Sequence, residues 1–493
     1  MRIKIIILLL VCFQFSIIPQ TLPAVDSLIT IYKNSAELSQ ASWGLYARFA
    51  DDTLPLIDYN SKLKLAPASN MKILTTAAVM HRFGPDYRFR TEVGYDGEIR
   101  NGEITGNMII KGSGDPSFAS DRFEDCPDLD SVISIITEKI SAFGIKRISG
   151  NIIINTAAFE EHLVPDYWPW IDVGNYYGTG VSALVVNENL YTLYFKPGNN
   201  PADPTEILGT EPELPGIEFV NYVSTGDTGS GDNAYIYFSP AEKKLIAKGT
   251  IPAGVTEFSI KGSLPNPAKF FGELLMRRMI QNGIRFSDTS GVKISIEPAS
   301  NINQFCVFYS PKLQNIVRLI NKRSNNLYTE QMLALLVSLQ DSDYTYKSGL
   351  SQVNKFLSGN NISSEGADLY DACGLSRNNC VTARMLTDVL AFMTGSPNFQ
   401  PYFDSFPLAG DENDQGGFKQ YGKGTILEKK LHVKSGLING VRAFTGYLFN
   451  PENRLIVFSF IANNYEGSSR QIDEFHKEIL ISLSESSSIS PQK

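Results

Sequence analysis

The sequence predicts an α+β protein in which the two ends of the chain build one sheet and inserted modules interrupt it. Three observations predict this. A hairpin and an apolar helix open the globular part, and a middle stretch of short strands is dense in Pro, Gly, Asn and Thr. A helical block, more strands and one last helix then close the chain. At 493 residues the chain exceeds one ordinary core, so several domains are expected.

The elements follow in order. Met1-Arg2-Ile3-Lys4, then the apolar run Ile5 to Ile18 and polar Gln20-Thr21, read as a secretory leader over residues 1–24, short for a membrane span. The expected location is therefore exported, periplasmic or extracytoplasmic, with no stable membrane anchor once the leader is removed. Leu45 to Ala50 and Leu54 to Tyr59, split by Asp51-Asp52-Thr53, form a hairpin. A helix from Pro67 to Arg82 has proline near its first turn and Gly84 just past its end. Asp130 to Phe143 is a second helix, and residues 195–262 suggest a small all-β module. Further helices are expected at Pro267 to Asn282, Leu313 to Asn321, Asn326 to Leu339, Ser348 to Ser358 and Thr382 to Thr394. Strands at Leu431 to Val433, Ala443 to Phe449 and Leu455 to Ala462 precede a helix from Ser469 to Leu483 and a solvated tail, 485–493.

Composition narrows the function. A net charge of −8 argues against a nucleic-acid partner, which favours a basic face. Cys126, Cys306, Cys373 and Cys380 remain after the leader, too few for a disulfide framework in so long a chain. Cys373 and Cys380 flank a short loop and read equally as a bridge or as free thiols. Neither HExxH nor CxxC occurs, so no metal or organic cofactor is expected.

Three short motifs carry chemistry together: S-x-x-K, S-x-N and K-[ST]-G, a set shared by β-lactamases and penicillin-binding proteins. Each alone is weak. Ser61, Ser290 and Ser490 also begin S-x-x-K, and Lys347 begins a second K-S-G. Context selects among them. Ser69 heads the strongly apolar helix with Lys72 one turn on, Ser324 and Asn326 lie between two helices, and Lys434-Ser435-Gly436 ends a β-run. Ser69 needs a base to take its proton, and Lys72 serves only if neutral, about three units below its free value of ~10.4. Burial and the charge of Lys434 are the expected causes. Ser324 relays the proton to the leaving amine, Asn326 binds a substrate amide, and Lys434 with Ser435 meets a terminal carboxylate. The N–H groups of Ser69 and Leu437, beside Gly436, form the oxyanion hole.

The chain resembles the D-alanyl-D-alanine carboxypeptidase/endopeptidase family of low-molecular-mass class C penicillin-binding proteins, peptidase family S13. The matching segments are Leu65 to Lys72, Lys111-Gly112-Ser113-Gly114-Asp115-Pro116-Ser117, Tyr176-Tyr177-Gly178, Ser182-Ala183-Leu184, Asp371 to Asn378 and Val433 to Leu437. Ser435 stands for the usual Thr, and Ala372-Cys373 for the usual Gly-Ser. The resemblance implies a transpeptidase/β-lactamase-like catalytic domain, an antiparallel sheet with helices on both faces, over 25–93 and 300–484. It implies an inserted domain over 94–190 and 262–299, carrying a small β domain over 191–261. It also implies peptidoglycan stem peptides as substrates, β-lactam antibiotics as acylating ligands of Ser69, and Asp172 as a substrate-facing acid for a diaminopimelate or lysine amine.

Blander readings stand beside these. Ser324 and Asn326 suit a helix N-cap, Lys434 a solvated edge charge, and Asp172 a structural hydrogen bond. Asp115 reads as a turn-former, Glu330 as a helix-surface carboxylate, and Tyr176 and Tyr177 as packing residues. A β-lactamase or esterase on the same core, or a non-catalytic cell-wall-binding protein, are the rival functions.

Overall fold

The computed structural model describes residues 22–158, 164–239, 242–299, 301–337 and 345–486. Most of the expected leader, the end of the helix expected to reach Leu339, and most of the tail lie outside them. A helix Pro23–Lys33 that sequence patterning did not single out begins within the last residues assigned to the leader.

One antiparallel sheet joins the chain ends. Its strand order is Leu431–Ile438, Val441–Phe449, Leu455–Asn463, Ser42–Phe49 and Pro55–Tyr59. Strands in an antiparallel sheet normally alternate apolar and polar, but Leu455–Asn463 is buried along almost its whole length. The reason is that both faces are covered. Phe444, Leu448, Phe458 and Phe460 pack with Phe475, Ile479 and Leu483 of the last helix, Ser469–Ser484. Ala443, Tyr447, Val457 and Ile461 pack on the other face with Ile73, Leu74 and Leu386 of the helical block. Each such buried side chain contributes roughly 1.5–3 kcal/mol, and a one-residue slip would exchange the two packed faces.

Between the two halves of that sheet, residues 90–309 form other sheets. Val292–Ser295, Ile152–Asn155, Met108–Lys111, Arg90–Tyr95 and Asn303–Tyr309 make a mixed five-stranded sheet, with helices Leu129–Ala142 and Pro267–Gln281 in the same core. Two three-stranded sheets occupy Leu190–Ser263. Asp128 and Asn266 cap the two helices, each accepting the amide N–H three residues on. Among the described residues no helix is long and apolar enough to cross a membrane.

Candidate active site

The segment before Ser69 is pinned on both sides. Leu65 exchanges two backbone hydrogen bonds with Val381, and Asn463 grips both the N–H and the C=O of Ala66. Ala68–Met71 is a single 3₁₀ turn, and the α-helix Lys72–Phe83 runs on from it. The expected helix therefore begins tighter than α. Ala68 itself is left-handed (φ 46°), a conformation rare for a residue with a Cβ and one that collects at functional sites. Asn70 ties the turn to the sheet through Thr445 Oγ1 at 2.7 Å.

Lys72 is fully buried, and its Nζ has three partners: Ser69 Oγ at 3.1 Å, Asn326 Oδ1 at 2.7 Å and the carbonyl of Cys373 at 2.7 Å. An ammonium donates to all three. A neutral amine donates to the two carbonyl oxygens and keeps its lone pair for the Ser69 hydroxyl. Burial drives the Lys72 pKa below the ordinary lysine value, against the opposing fields of Cys373, Asp371 and Glu330.

Lys434 forms the second half of the site. Its Nζ lies 2.9 Å from Ser324 Oγ and 2.7 Å from its neighbour's carbonyl, that of Ser435. It is buried, not solvated. Burial first, then the charges of Lys72 and Arg442, push its pKa well down. Burial, one of the two expected causes, thus comes first in lowering Lys72, and the two ammonium groups disfavour each other's charge.

Ser324 is left-handed (φ 57°) between helices Leu313–Arg323 and Asn326–Leu336. The capping role offered for Ser324 and Asn326 belongs instead to Asn325, which accepts the Tyr328 N–H. Asn326 is freed to bridge Lys72 and the Tyr177 carbonyl, to which its Nδ2 donates at 2.8 Å. Strand Leu431–Ile438 lies at the sheet edge, where its outer rim can pair with an extended ligand. A Cβ on Gly436 would sit 2.4 Å from the Pro67 carbonyl and 3.2 Å from the Ser69 nitrogen. Leu437, more than half exposed, follows it. The edge strand therefore runs directly against the Ser69 turn, as an oxyanion site shared by those two residues needs.

One reading needs correction. Glu330 is not on a helix surface: it is wholly buried, and the Ala372 and Cys373 N–H groups donate to its Oε1 at 3.1 and 2.8 Å. Burial, then Asp371, raises its pKa to about 8. Tyr176 is more than half exposed and packs edge-on against the Tyr177 ring, centroids 5.2 Å apart, while the Tyr177 hydroxyl donates to Asp172 Oδ1 at 3.2 Å. Asp172 is half-buried; desolvation raises its pKa, and Tyr177 and Arg377 partly offset this. Asp115 holds a turn, accepting from both the N–H and the hydroxyl of Ser117.

Cys373 and Cys380 are both free thiols. Among the described residues, Glu330, Asp371 and Cys373 alone bring ligand atoms close enough to hold a metal. Hydrogen bonds already engage them. Asp371 accepts from the Gly374 and Ser376 amides, Asn379 Nδ2 and Trp168 Nε1 at 2.6–2.8 Å, and the Cys373 thiol bonds to Glu330. The cluster braces the loop whose carbonyl meets Lys72. Sequence reasoning missed Glu330, the Cys373 carbonyl and the Tyr177 carbonyl. The segment Asp371 to Asn378 did draw notice, but nothing in its residue types reveals a backbone role.

The sheet, its two helical covers and the serine beside a buried lysine define a class: serine hydrolases on the penicillin-binding transpeptidase/β-lactamase fold. The chain belongs to the D-Ala-D-Ala carboxypeptidase 3 (S13) family, whose profile matches residues 24–479. It is a serine-type D-Ala-D-Ala carboxypeptidase. It is 28% identical over 414 residues to the D-alanyl-D-alanine carboxypeptidase of Actinomadura sp. (strain R39), covering 82% of this chain and 74% of that one. It is 22% identical over 431 residues to the D-alanyl-D-alanine carboxypeptidase DacB of Haemophilus influenzae, covering 86% and 85%. The crystal structure of penicillin binding protein 4 (dacB) from Haemophilus influenzae superposes with a TM-score of 0.77 at 20% identity, over 92% of this chain and 97% of that one. The same protein complexed with a novel β-lactam gives 0.74 at 19% identity, over 93% and 98%.

Proposed function

We propose that this is an exported D-Ala-D-Ala carboxypeptidase and endopeptidase that trims and uncrosslinks peptidoglycan stem peptides through an acyl-enzyme on Ser69. The observation that carries the reading is the placement of buried Lys72, with two carbonyl acceptors for its N–H groups and the Ser69 hydroxyl as its third neighbour. Ser69 Oγ attacks the carbonyl of the penultimate D-alanine while its proton passes to Lys72. The oxyanion is met by the N–H groups of Ser69 and Leu437. The C–N bond then breaks, and the leaving amine takes its proton through Ser324, which Lys434 holds at 2.9 Å. Asn326 takes a substrate amide, and Lys434 with Ser435 the terminal carboxylate. Water, activated by the same amine, hydrolyses the ester and restores the Ser69 hydroxyl.

Asp172, facing Tyr177 and in the field of Arg377, is the proposed partner for an amine on the third residue of the stem peptide. Penicillins carry a strained amide to the same serine and remain attached. A labelled penicillin that marks wild type but not Ser69→Ala, with release of D-alanine from a pentapeptide, supports the reading. Equal marking of both proteins removes it. Rapid turnover of a chromogenic cephalosporin would instead favour a β-lactamase.

A further inference from the structure

The place of Ser324 depends on two separate elements. Its backbone ends the helix Leu313–Arg323, and its hydroxyl meets Lys434, on the edge strand Leu431–Ile438, at 2.9 Å. Being left-handed, Ser324 lies outside the regular ladder of that helix, so whatever holds the helix end decides where the hydroxyl sits.

Residues 405–416 tie the two elements together. On the helix side, Asn321 Nδ2 donates to Ser405 Oγ at 2.8 Å, and Lys322 Nζ forms an ion pair with Asp414 Oδ1; all four side chains are buried. Asp414 Oδ2 accepts the Gly416 N–H at 2.6 Å, which fixes the acid within its own loop. On the strand side, the Val433 N–H donates to the Pro407 carbonyl and the Ala409 N–H to the Leu431 carbonyl, each at 2.9 Å. The Ser324–Lys434 contact thus lies two residues past Lys322 and one past Val433. The segment is a strap joining the two halves of the relay.

Stability alone does not call for an ion pair at this point. Two charges taken out of water gain little net stability from each other, and apolar side chains of similar volume serve as well. What the pair adds is direction, because a charge-assisted hydrogen bond holds the lysine stem at one short distance where apolar contact lets it slide. We propose that Lys322 and Asp414 are positioning residues for the proton relay: their buried contact sets the Ser324 hydroxyl against Lys434 and so aims it at the leaving nitrogen. This rests on the role given to Ser324 above. With an amide, Ser69 Oγ bonds to the carbonyl carbon, the C–N bond breaks, and the nitrogen leaves with a proton delivered through Ser324. A thioester of the same acyl group loses its sulfur as a thiolate, which needs no proton. A misplaced Ser324 therefore slows the amide and spares the thioester.

The test measures single-turnover acylation of the full chain by two substrates with one acyl group, a peptide ending in D-Ala-D-Ala and its thioester with a thiol-carboxylate leaving group. Asp414→Asn keeps an acceptor for the Gly416 amide but strips Lys322 of its counter-charge. Lys322→Met combined with Asp414→Asn removes both charges, and Ser324→Ala is the reference. Each is expected to lower the amide rate about 10²-fold, the scale of a misplaced group, and the thioester rate by less than about threefold. The ratio of the two rates is unaffected by any unfolded fraction, which slows both substrates alike. The urea midpoint should fall in Asp414→Asn and return towards wild type in the double variant, while the ratio stays displaced. The ratio decides whatever the midpoint does. A wild-type ratio in Asp414→Asn, or one regained in the double variant, overturns the proposal. If Ser324→Ala slows both substrates equally, the relay role of Ser324 fails and the strap with it. No acylation of wild type by either substrate removes the Ser69 reading itself.

Discussion

Cys373 holds its carbonyl oxygen 2.7 Å from Lys72 Nζ. With Asn326 Oδ1 on a second N–H, that contact leaves the amine one direction for its lone pair, towards Ser69. Lys72→Arg keeps the charge and much of the length, but its guanidinium does not deprotonate and its planar fork cannot meet three separated acceptors. Acylation by a labelled penicillin is expected to fall by about 10³-fold, within the range a positioned base supplies. In wild type the same rate should drop about tenfold per unit as pH falls through the depressed Lys72 pKa, because only the neutral amine acts. A flat profile down to pH 5 in stopped-flow acylation would remove Lys72 as the base.

Glu330 sets where that carbonyl sits, because its carboxyl holds the two amides of the Ala372–Cys373 segment. Glu330→Ala should lower the acylation rate constant on the order of 10²-fold, the scale of a misplaced catalytic group, with little change in the preceding noncovalent affinity. Glu330→Gln retains an acceptor oxygen and should recover most of the rate. The linkage is distinct. The folded pKa, about 8, lies above the unfolded ~4.3, so the folded state holds a proton that the unfolded chain lacks between those values. Stability from this group therefore falls as pH rises through that window and levels off above 8. Gln cannot ionise, so the advantage of Glu330→Gln in urea midpoint should grow from pH 5 to pH 8. An unchanging difference across that range would contradict the buried, protonated acid.

Two glycines are required by contact and not by flexibility alone. A Cβ on Gly436 would meet the Pro67 carbonyl at 2.4 Å, and one on Gly374 the Ala68 carbonyl at 1.8 Å, both rigid backbone atoms flanking Ser69. Gly374 also has φ +85°. Either alanine substitution should cost about 1–3 kcal/mol of stability and most of the penicillin labelling, by shifting the 3₁₀ turn. Gly291→Ala, which meets nothing within 4 Å, is the control. Full labelling by Gly436→Ala at wild-type melting temperature would show that the turn tolerates the shift.

How far the sequence was legible follows from what each feature depends on. The terminal strands were readable as short apolar runs rich in β-branched and aromatic residues, and the last helix by its period-3.6 burial. Ser69, Lys72, Ser324, Asn326 and Lys434 were selected because side-chain chemistry at short spacing leaves a motif. The Cys373 and Tyr177 carbonyls left none, since any residue supplies a C=O. Glu330 was misread because its helix, Asn326–Leu336, is buried on every face, so no polar side distinguishes a solvated acid from an enclosed one. The first turn after Pro67 was assigned to α because a left-handed Ala68 has no compositional signature.

Asp172 connects specificity to the inserted part of the chain. Its carboxylate accepts from the Tyr177 hydroxyl, and the Tyr177 carbonyl in turn accepts from Asn326. Asp172→Asn should lower kcat/KM for stem peptides bearing a third-residue amine by about tenfold, the scale of one lost charge-assisted contact. Peptides with a neutral third residue should change much less. Equal loss on both would give Asp172 the structural role.

His476 offers a stability prediction independent of the site. It is buried among Phe444, Phe460 and Phe475, at ring-centroid distances of 4.9, 5.6 and 5.9 Å, and neither ring nitrogen has a hydrogen-bond partner among the described residues. Burial, with Arg442 adding repulsion, lowers its pKa to about 3. Between the unfolded ~6.5 and that value the unfolded chain takes up a proton and the folded chain does not. Stability is therefore lost as pH falls through this window, by about 3 kcal/mol at pH 4, at ~1.36 kcal/mol per unit. His476→Phe removes both that loss and two buried nitrogens left without partners, and it keeps a ring in an aromatic cluster. Its urea midpoint should exceed wild type modestly at pH 7 and increasingly so towards pH 4.5, with penicillin labelling unchanged. The surrounding acids titrate alike in both proteins, so the difference between them isolates the histidine, and a pH-independent difference would mean that the imidazole is hydrated or paired in solution.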